Sequence, residues 1–384
     1  MSNIYEEALQ KHGEWKGKIS AELAIAIDSA QDLSLAYTPG VAAPCLEIQK
    51  DPHKAYDYTW KSKTIAVVSN GTAVLGLGNI GALASLPVME GKCALFKRFG
   101  GVSAVPIVLD VQDSKELIAT IKALAPSFGG INLEDIKAPE CVEIERRLIE
   151  ELDIPVFHDD QHGTAIVVTA ALINSLKLIG KEAKDCVAVV SGAGAAGSSI
   201  ARQVSQLGLK NIYVFDSKAV LSSARTDLNS VKQEMLSFTN KEDEVLEFAD
   251  AMARADIFIG VSGPGKLNEE LVSSMKEDAI VFAMANPEPE IAYDKAKAAG
   301  ARIVATGRSD FPNQVNNVLV FPGIFKGMLQ VPGAKITDEI KMAAARGLAS
   351  CVSDEELSEE KVIPSVFDMR VSDIVAKAVL NAAQ

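Results

Sequence analysis

Two pairs of adjacent acids follow β-branched segments of the chain and have the side-chain chemistry of a cation site. Glu134-Asp135 follows the segment GGIN, and Asp159-Asp160 ends the segment IPVFHDD. Parallel strands bring their carboxyl ends to one edge of a sheet, where open α/β proteins bind ligands. Carboxylates gathered there repel one another unless a cation lies between them, and their oxygens suit Mg²⁺ or Mn²⁺. Each pair alone is better explained as a cap of the following helix, but two pairs at matching strand ends favour a metal site.

His158 and His162 flank the second acidic pair and raise the alternative of a zinc site. Their spacing fits one face of a helix, but the segment is predicted to be a strand end. No cysteine or third histidine lies nearby in the sequence, and zinc sites in proteins are built from such ligands. We therefore expect both histidines to make structural hydrogen bonds.

A glycine-rich turn with the spacing of a dinucleotide-binding fingerprint lies in the middle of the chain. The motif Gly192-Ala193-Gly194-Ala195-Ala196-Gly197 follows the strand-like run CVAVVS and opens a helical segment, and Asp216 ends the next strand. The first glycine permits a tight turn, the second lets the backbone approach the pyrophosphate, and the third lets helix and strand pack closely. The acid binds a ribose hydroxyl. This context predicts dinucleotide contacts from Gly192, Gly194, Ala195, Ala196, Gly197 and Asp216.

A second motif of the same form, Gly76 to Gly81, lacks the rest of the fingerprint. No acid lies where a ribose ligand is needed, and Pro87 is expected to interrupt the helix that would carry the phosphate charge. We interpret the motif as a tight turn between strand and helix that either lines another site or serves packing.

Strand-like and helix-like segments alternate along the chain, as they do in proteins with parallel sheets. Asn70-Gly71 lies between two β-branched runs and predicts a hairpin. The run 164–180 has helical periodicity and ends at Gly180, which predicts a long helix between two sheets. The polar stretch 226–245 is expected to be a surface excursion, and two helices are expected near the C-terminus. The remaining predicted strands are 105–110, 129–135, 154–160, 186–191, 211–216, 257–261, 279–286 and 302–307, with helices over 114–126, 139–152 and 195–207.

These elements predict an α/β fold with two domains. A chain of 384 residues exceeds the size at which a single core stops growing, about 250–300 residues. We place the boundary after residue 160, so that 1–160 form an N-terminal α/β domain. Residues 161–384 then form a C-terminal Rossmann-type dinucleotide-binding domain with added C-terminal helices.

Composition argues against several classes of protein. A net charge of −13 disfavours nucleic acid or an anionic membrane surface as partner. The N-terminus lacks the apolar core of a signal peptide, and the longest apolar runs fall short of the roughly 20 residues that span a bilayer. Five widely separated cysteines without a C-x-x-C motif are predicted to be reduced thiols, so we expect a cytoplasmic protein.

Four further segments resemble the malic enzymes, specifically the small bacterial type, and the resemblance covers almost the whole chain. They are SLAYTPGVAAPC (34–45), EGKCALFKRFGG (90–101), INLEDIKAPECVEIERRL (131–148) and PVFHDDQHGTA (155–165), supported by SGPG (262–265), NPEPEI (286–291) and NQVNNVLVFPG (313–323). The resemblance implies oxidative decarboxylation of L-malate to pyruvate and carbon dioxide, reduction of NAD or NADP, and a requirement for Mn²⁺ or Mg²⁺.

The same resemblance implies roles for individual residues. Tyr37 corresponds to a general acid, Lys92 to a general base and Asp159 to an acid that orients the site. The implied metal ligands are Glu134, Asp135 and Asp160. The implied substrate-binding residues are Asn286 and Asn317, and Asn286 also borders the cofactor. A lysine base must lose its proton, so Lys92 is expected to be desolvated beside the positive charge of the metal.

One position departs from the family pattern. Larger members carry an arginine that grips the substrate carboxylate where this chain has Ala73. The substrate charge is then expected to be met by the two asparagines, by backbone N–H groups of the turn from Gly76 to Gly81, or by Lys137.

Three further questions stay open from the sequence. Asp216 favours NAD because it would repel a 2′-phosphate, yet Lys218 could pair with one, so NADP remains an alternative. A malolactic enzyme, which releases lactate, and a non-catalytic dinucleotide- or dicarboxylate-binding module are the alternative functions. The resemblance also implies a homodimer, in which the N-terminal arm through Tyr37 could enter the site of the partner.

Overall fold

Two parallel β-sheets organise the chain, and the computed structural model describes residues 2–74 and 76–384 of it. A short series of helices precedes the first sheet. It contains α1 (Ser2–Trp15), α2 (Ala30–Ala36), α3 (Ala42–Lys50) and α4 (Ala55–Tyr58). Neither α2 nor α3 has a buried residue, so this N-terminal arm lies on the surface of the chain.

The first sheet has four parallel strands joined by helices. In chain order the elements are β1 (Thr64–Ser69), α5 (Ala82–Leu95), β2 (Ser103–Val108), α6 (Ser114–Leu124), β3 (Gly130–Leu133), α7 (Glu140–Glu151) and β4 (Val156–His158). The strand order is β2-β1-β3-β4, so the chain leaves β1 toward β2 and then crosses back to β3. The loops after β1 and β3 therefore diverge at a switch point, which is where this class of sheet binds ligands.

The predicted hairpin at Asn70-Gly71 is wrong. β1 pairs in parallel with β2 on one side and with β3 on the other, so neither edge is left for a hairpin partner. All six residues of β1 are buried, as expected for a central strand covered on both faces. The chain after Gly71 makes a turn closed by a single antiparallel bridge between Val74 and Gly78.

The predicted break at Pro87 is also wrong, because α5 continues through it. Pro87 is the sixth residue of this helix, counting from Ala82, so the N–H that it lacks would bond to the carbonyl at position 83. That loss leaves the rest of the helix in place. The interpretation of Gly76 to Gly81 as a turn leading into a helix agrees with the structure.

The long helix α8 (Asp159–Ile179) connects the two sheets and is the centre of the largest apolar core. It begins at Asp159, five residues earlier than predicted, and ends as expected at Gly180, whose φ of 70° provides the left-handed cap. Its length and composition would allow it to cross a membrane, but 67% of its most apolar window is buried inside the protein, as in a core helix. The domain boundary proposed after residue 160 would thus cut this helix after its second residue.

The second sheet has five parallel strands in the order β6-β5-β7-β8-β9. The elements in chain order are β5 (Val187–Ser191), α9 (Ala195–Ser205), β6 (Asn211–Phe215), α10 (Ser230–Met235), α11 (Phe248–Arg254), β7 (Ile257–Gly260), α12 (Glu269–Ser273), β8 (Ile280–Ala283), α13 (Tyr293–Ala298) and β9 (Ile303–Thr306). Each predicted strand of this half is present within two or three residues of its predicted ends. The order places the switch point between β5 and β7.

Three C-terminal helices close the junction between the sheets. They are α14 (Phe321–Met328), α15 (Asp338–Ala349) and α16 (Val371–Ala383). α15 packs on α8, and α16 packs on α14 and α15. α14 packs against the helical turn 96–100 that extends α5, where Phe321 and Phe325 contact Phe96. These helices therefore join the two halves into one continuous core.

Candidate active site

Lys92 lies at the centre of a buried cluster of charges next to the first sheet. Its side chain is 8% exposed, and its Nζ lies 2.7 Å from Glu134 Oε1 and 2.6 Å from Asp159 Oδ2. The ring of Phe321 lies 4.3 Å from the same nitrogen. Burial opposes the charge of the lysine, but the nearby carboxylates of Asp159 and Glu134 outweigh it and raise the pKa of Lys92 above its ordinary value. The expected desolvation is confirmed, and the surrounding acids hold the side chain as an ammonium.

The two acidic pairs adjoin, as their positions at neighbouring strand ends predicted. The backbone N–H of Asp135 donates a hydrogen bond of 2.8 Å to Asp160 Oδ2. Glu134, Asp135 and Asp159 are almost fully buried. Burial, opposed by Lys92 and reinforced by Asp160, raises the pKa of Glu134 well above its ordinary value. The cluster thus carries more negative charge than Lys92 alone compensates.

The carboxylates do not form a completed metal site. Within residues 2–74 and 76–384, no three His, Cys, Asp or Glu side chains are arranged to hold an ion. Glu134 is turned toward Lys92 and toward the amide of Asn132, which donates to its Oε2 at 2.8 Å. Asp160 is turned toward the backbone of Asp135 and its side chain is 40% exposed. The donor set has the oxygen chemistry of a hard-cation site, and its function as ligands stays a prediction.

Asp159 is oriented by two other residues of the predicted site and by space at a glycine of its own helix. Its Oδ2 accepts hydrogen bonds from Lys92 and from the side-chain amide of Asn317. Gly163 lies one turn further along α8, and a Cβ there would be 2.1 Å from Asp159 Oδ1. The absence of a side chain at Gly163 therefore lets the carboxylate fold back along its own helix. Asp159 lies in the first turn of α8, where a helix-capping acid would lie, but its carboxylate faces Lys92 and makes no cap hydrogen bond.

Of the predicted substrate residues, only Asn317 is seen in contact with this cluster. Asn286 is exposed in the loop after β8. The Tyr37 side chain is 68% exposed at the end of α2, and no hydrogen bond of its hydroxyl is found in the described part of the chain. Both residues are accessible to a ligand or to another chain.

The candidate replacements for the missing arginine are partly engaged elsewhere. Lys137 pairs with Glu140 at 3.1 Å, and its side chain is about half exposed. In the turn before α5, the N–H groups of Ile80 and Gly81 both donate to the carbonyl of Gly71. These two N–H groups are thus used to close the turn. Of the sequence-predicted groups, Asn317 is the one that lies beside the cluster.

Glu145 is a buried support of the site that the sequence analysis missed. It lies on α7, is 4% exposed, and its Oε1 accepts the backbone N–H of His158 at 2.8 Å. Its Oε2 accepts from His162 Nε2 at 2.8 Å and, less closely, from Gln161 at 3.4 Å. Burial opposes its charge, but the contact with His162 and the nearby charge of Lys341 lower the pKa of Glu145 to about 2. The structural hydrogen bond expected of His162 is confirmed. The one expected of the His158 side chain is wrong, because neither of its ring nitrogens has a hydrogen-bond partner among the described residues. Glu145 fixes the start of the helix that carries Asp159 and Asp160.

Replacing Glu145 with alanine should lower the free energy of unfolding by several kcal/mol. The backbone N–H of His158 and the side chains of Gln161 and His162 would lose their acceptor, and each unsatisfied buried group costs about 1–3 kcal/mol. Glu143 is the matched control, because it is an exposed glutamate on the same helix, and its alanine variant should stay within about 0.5 kcal/mol of wild type. Urea denaturation of both variants measures the difference, and equal stabilities would show that Glu145 does not hold the helix start.

A cleft of about 740 Å³ lies at the carboxyl ends of β5, β6 and β7, where the fingerprint was predicted. Gly192 has a φ of 117°, and a Cβ on Gly197 would be 1.8 Å from the carbonyl oxygen of Gly192, so both positions require glycine. A Cβ on Gly194 would meet no atom within 4 Å and would extend into open space. The turn therefore has the tight bend, the open approach and the close helix packing that a dinucleotide site needs. Ala195 opens α9 beside it and also lines the cleft.

Asp216 lies at the end of β6, as predicted, and is held by cations that the sequence analysis did not identify. Arg225 donates to both of its oxygens, at 2.8 and 3.0 Å, and Lys232 Nζ lies 2.6 Å from Oδ2. Burial opposes ionisation, but these hydrogen bonds lower the pKa of Asp216 below its usual range. Lys218 donates its backbone N–H to Asp216, while its ammonium pairs with Asp227.

The predicted surface excursion over 226–245 is therefore wrong as a description of this stretch. It contains α10, whose Lys232 reaches Asp216 and whose Glu234 pairs with Arg146 on α7 and Arg202 on α9. Met235 and Asn240 in the same stretch are buried. The segment thus returns to the cofactor cleft and contributes charge to it.

The fold and the two sites together define the class of protein. One half of the chain has a Rossmann-type cleft with an acid at the end of its second strand. One helix joins it to an α/β half with a buried lysine among carboxylates, and this combination is typical of two-domain dehydrogenases that use a pyridine nucleotide. Comparison with known families agrees with this class. Residues 16–149 match the malic enzyme N-terminal domain, and residues 161–384 match the malic enzyme NAD binding domain. The chain belongs to the malic enzyme family.

Individual relatives resemble the chain over almost all of its length. The bifunctional malic/malolactic enzyme of Bacillus subtilis (strain 168) is 53% identical over 99% of this chain and 93% of its own length. The NADP-dependent malic enzyme of Escherichia coli (strain K12) is 48% identical over 96% of this chain and 50% of its own length. The crystal structure of the NAD-dependent malic enzyme from Thermotoga maritima has a TM-score of 0.93 at 47% identity, and covers 97% of this chain and 98% of that one.

Proposed function

We propose that the chain oxidises and decarboxylates L-malate to pyruvate and carbon dioxide while reducing NAD or NADP. The observation that carries this proposal is the Lys92 ammonium held between Glu134 and Asp159, beside Asn317. A lysine at the centre of buried acids can take a proton from a substrate hydroxyl once its own proton has left. The dinucleotide cleft of the same chain would hold the NAD or NADP that accepts the hydride.

We propose Glu134, Asp135 and Asp160 as ligands of Mn²⁺ or Mg²⁺. When ionised, the two acidic pairs carry four negative charges against the single charge of Lys92, and such a cluster is costly to bury without a further cation. The hydrogen bond between Asp135 N–H and Asp160 supports the ligand set, because it places both acidic pairs together. Such an ion would supply Lewis-acid charge to the oxygens of the substrate and would offset the field that raises the pKa of Lys92.

The residues of the chain then divide the work of binding and proton transfer. Lys92 takes the proton of the C2 hydroxyl, and a nicotinamide held in the cleft would accept the hydride of C2. Asp159, which bonds to both Lys92 and Asn317, holds these two side chains at a fixed distance from each other. We propose that the amides of Asn317 and Asn286 bind the carboxylates of malate. Larger family members use an arginine for this purpose at the position of Ala73. After carbon dioxide leaves, Tyr37 donates a proton to the methylene carbon of the enolate of pyruvate.

The proposed role of Tyr37 is best served by a homodimer in which its hydroxyl enters the site of the partner. The exposed arm supports this arrangement, because its surface contains large apolar side chains, including Leu23, Leu35 and Leu46, which are 78%, 70% and 55% exposed. Exposed apolar side chains of this size within one arm support its role as an interaction face. We propose that the partner of this surface is a second copy of the chain.

Mixing two inactive variants should test whether the tyrosine acts in the partner. Tyr37→Phe and Lys92→Ala chains, co-refolded or co-expressed with different tags, should form hybrids in which one of the two sites has both wild-type residues. The purified hybrid should then have about half the activity of the wild-type dimer, because one of its two sites is complete. Hybrids that form but stay as inactive as their parents would show that both residues act within one chain.

Cofactor choice depends on the cations around Asp216. The acid favours NAD through its ribose hydroxyl, while Arg225, Lys232 and Lys218 surround it with positive charge that a 2′-phosphate could use. The relatives include both NAD- and NADP-dependent enzymes. We propose that NAD is preferred and that NADP is accepted.

Replacing Asp216 with asparagine should weaken NAD binding and improve NADP binding. Loss of a charge-assisted hydrogen bond to the ribose costs about 1.5–3 kcal/mol, and the freed Arg225 and Lys232 can pair with a 2′-phosphate. Titration of dinucleotide binding by fluorescence gives both dissociation constants. If NAD affinity is unchanged, Asp216 does not contact the ribose and the assignment of the fingerprint is wrong.

Initial rates test the proposed function itself. Malate with Mn²⁺ and NAD should form NADH, EDTA should abolish the rate, and NADP should replace NAD at lower efficiency. Malolactic turnover is the second candidate, because the Bacillus subtilis relative is a bifunctional malic/malolactic enzyme. It would show malate consumption without net NADH. A binding module would show neither, which would contradict the proposal. We also place the protein in the cytoplasm, in keeping with its five free cysteines, four of them buried.

A further inference from the structure

Glu290 is a completely buried glutamate at the ligand-binding edge of the second sheet, outside the groups assigned so far. It follows the loop after β8, where Asn286, Pro287 and Glu288 are all exposed, yet its own exposure is 0%. A buried acid in this position needs hydrogen-bond donors around it. Its surroundings therefore show what it holds.

Two loops donate to the two oxygens of this carboxylate. Oε1 accepts the backbone N–H of Ser262 at 2.9 Å, and Oε2 accepts the backbone N–H of Ala285 at 3.1 Å. Ser262 begins the SGPG segment after β7, and Ala285 immediately precedes Asn286 after β8. One side chain thus sets the distance between the loops that leave two neighbouring strands.

A third loop is joined to the same point. The hydroxyl of Ser262 lies 2.9 Å from the hydroxyl of Ser191, the residue before the glycine turn at Gly192. Gly260, at the end of β7, makes room for the carboxylate, because a Cβ there would be 2.4 Å from Glu290 Cδ. The glycine turn, the SGPG segment and the loop of Asn286 therefore form one connected unit around Glu290.

These loops lie on the side of the cleft where the nicotinamide must lie. Asp216, the ribose ligand, is at the end of β6, and the pyrophosphate turn follows β5. Because β7 and β8 lie on the other side of β5 from β6, the second half of the dinucleotide has to extend over their loops. The position of these loops sets where the C4 of the nicotinamide stands relative to the substrate.

We infer that Glu290 is a positioning residue for hydride transfer, which fixes the SGPG loop and the Asn286 loop around the nicotinamide. The expected change in hydride transfer rests on the proposed function, whereas the expected change in NADH binding rests on the NAD-binding domain alone. A carboxylate is required because both of its oxygens accept. A glutamine has one accepting oxygen, and its NH₂ group would face the second backbone N–H, so one loop must move.

The test compares Glu290→Gln with Glu288→Gln. Glu288 is an exposed glutamate two residues earlier in the same loop, so its variant changes the same charge without touching either N–H. A displacement of about 1 Å at a reacting centre can cost on the order of 10²-fold in rate, so we expect kcat of Glu290→Gln to fall about 10- to 100-fold. Glu288→Gln should keep the wild-type kcat.

The isotope effect separates positioning from loss of folded protein. With malate deuterated at C2, hydride transfer should become fully rate-limiting in Glu290→Gln, so the isotope effect on kcat/KM should rise above the wild-type value. A variant that is merely less folded would have lower activity with an unchanged isotope effect. Ser262→Ala, an exposed position that breaks only the contact with Ser191, should shift the isotope effect in the same direction by a smaller factor if Glu290→Gln does not fold.

Titration with NADH distinguishes a failure of this inference from a failure of the proposed function. If the wild-type protein does not oxidise malate, the proposed function fails, and the dissociation constant and emission maximum of bound NADH still report on the loops. We expect Glu290→Gln to bind NADH more weakly, or with a red-shifted emission from a more open nicotinamide, and Glu288→Gln to match wild type. An isotope effect and NADH binding identical to wild type in folded Glu290→Gln would overturn the inference.

Discussion

Replacing Lys92 with alanine should stop malate oxidation, whereas replacing Tyr37 with phenylalanine should stop a later proton transfer and spare reduction of added oxaloacetate. Hydride transfer from malate needs a base at the hydroxyl, and reduction of oxaloacetate needs the same group as an acid, so Lys92→Ala should impair both. Protonation of the enolate carbon is a separate step that only Tyr37 is proposed to serve. Removal of a general acid or base typically costs about 10²–10⁴-fold.

Proton exchange distinguishes the two roles. The methyl protons of pyruvate exchange with solvent through the enolate, and NMR follows this exchange in the presence of Mn²⁺ while absorbance follows oxaloacetate reduction. Tyr37→Phe should lose exchange by a far larger factor than reduction. If both fall equally, the tyrosine positions the substrate or acts on Lys92, and its assignment as the proton donor to carbon is wrong.

The lysine variant needs a control for stability. Lys92→Ala leaves Glu134 and Asp159 buried without their shared cation, and breaking a buried ion pair costs about 3–5 kcal/mol. Lys92→Arg keeps the positive charge but cannot give up its proton at neutral pH. It should therefore unfold closer to wild type than Lys92→Ala and still be inactive, whereas an active arginine variant would exclude a base at this position.

Replacing Asp160 with alanine should abolish metal-dependent turnover and leave dinucleotide binding nearly unchanged. The rate should fall at least on the order of 10²–10³-fold, the cost of removing one element of charge stabilisation at a reacting centre. The Asp160 side chain is 40% exposed, so little stability is lost with it. The cofactor cleft lies on the second sheet, so NADH titration should give the wild-type constant.

Mn²⁺ binding provides the direct readout for this variant. Electron paramagnetic resonance of free Mn²⁺ measures the affinity of wild type, of Asp160→Ala and of the control Asp153→Asn, which changes an exposed acid just before β4. Asp160→Ala and Asp135→Ala should bind Mn²⁺ more weakly, and Asp153→Asn should match wild type. Parallel loss of Mn²⁺ and NADH binding would instead assign these acids a role in folding.

The sequence predicts those parts of the site that depend on one strand and the loop after it. Glu134-Asp135 and Asp159-Asp160 meet because parallel strands end at one edge, and Asp216 stands at the end of β6 for the same reason. The glycines at 192 and 197 are recognisable because no other residue fits their turn. Such local rules also gave nearly all of the strands.

Pairings between distant segments escape such rules. Asn70-Gly71 has the composition of a hairpin turn, but β1 is completed instead by β2 and β3, which bury both of its faces. Arg225 and Lys232 belong to no motif, and Glu145 and Glu290 lie in segments that resemble the family but in which no local feature marks them. Each of the four is recognised only by its contacts with a separate segment. The polar stretch 226–245 gave no local signal of these contacts, because its composition is equally that of a surface loop.

The stoichiometry of products from malate decides whether the protein oxidises and decarboxylates its substrate. Purified protein with Mn²⁺, labelled L-malate and limiting NAD is followed by NMR for organic products and by absorbance for NADH. Oxidative decarboxylation should give one pyruvate and one NADH for each malate consumed, and no reaction after removal of the metal by EDTA. Lactate formed without net NADH would contradict it in favour of malolactic turnover, and unchanged malate would show that the Lys92 cluster is not a site of oxidation.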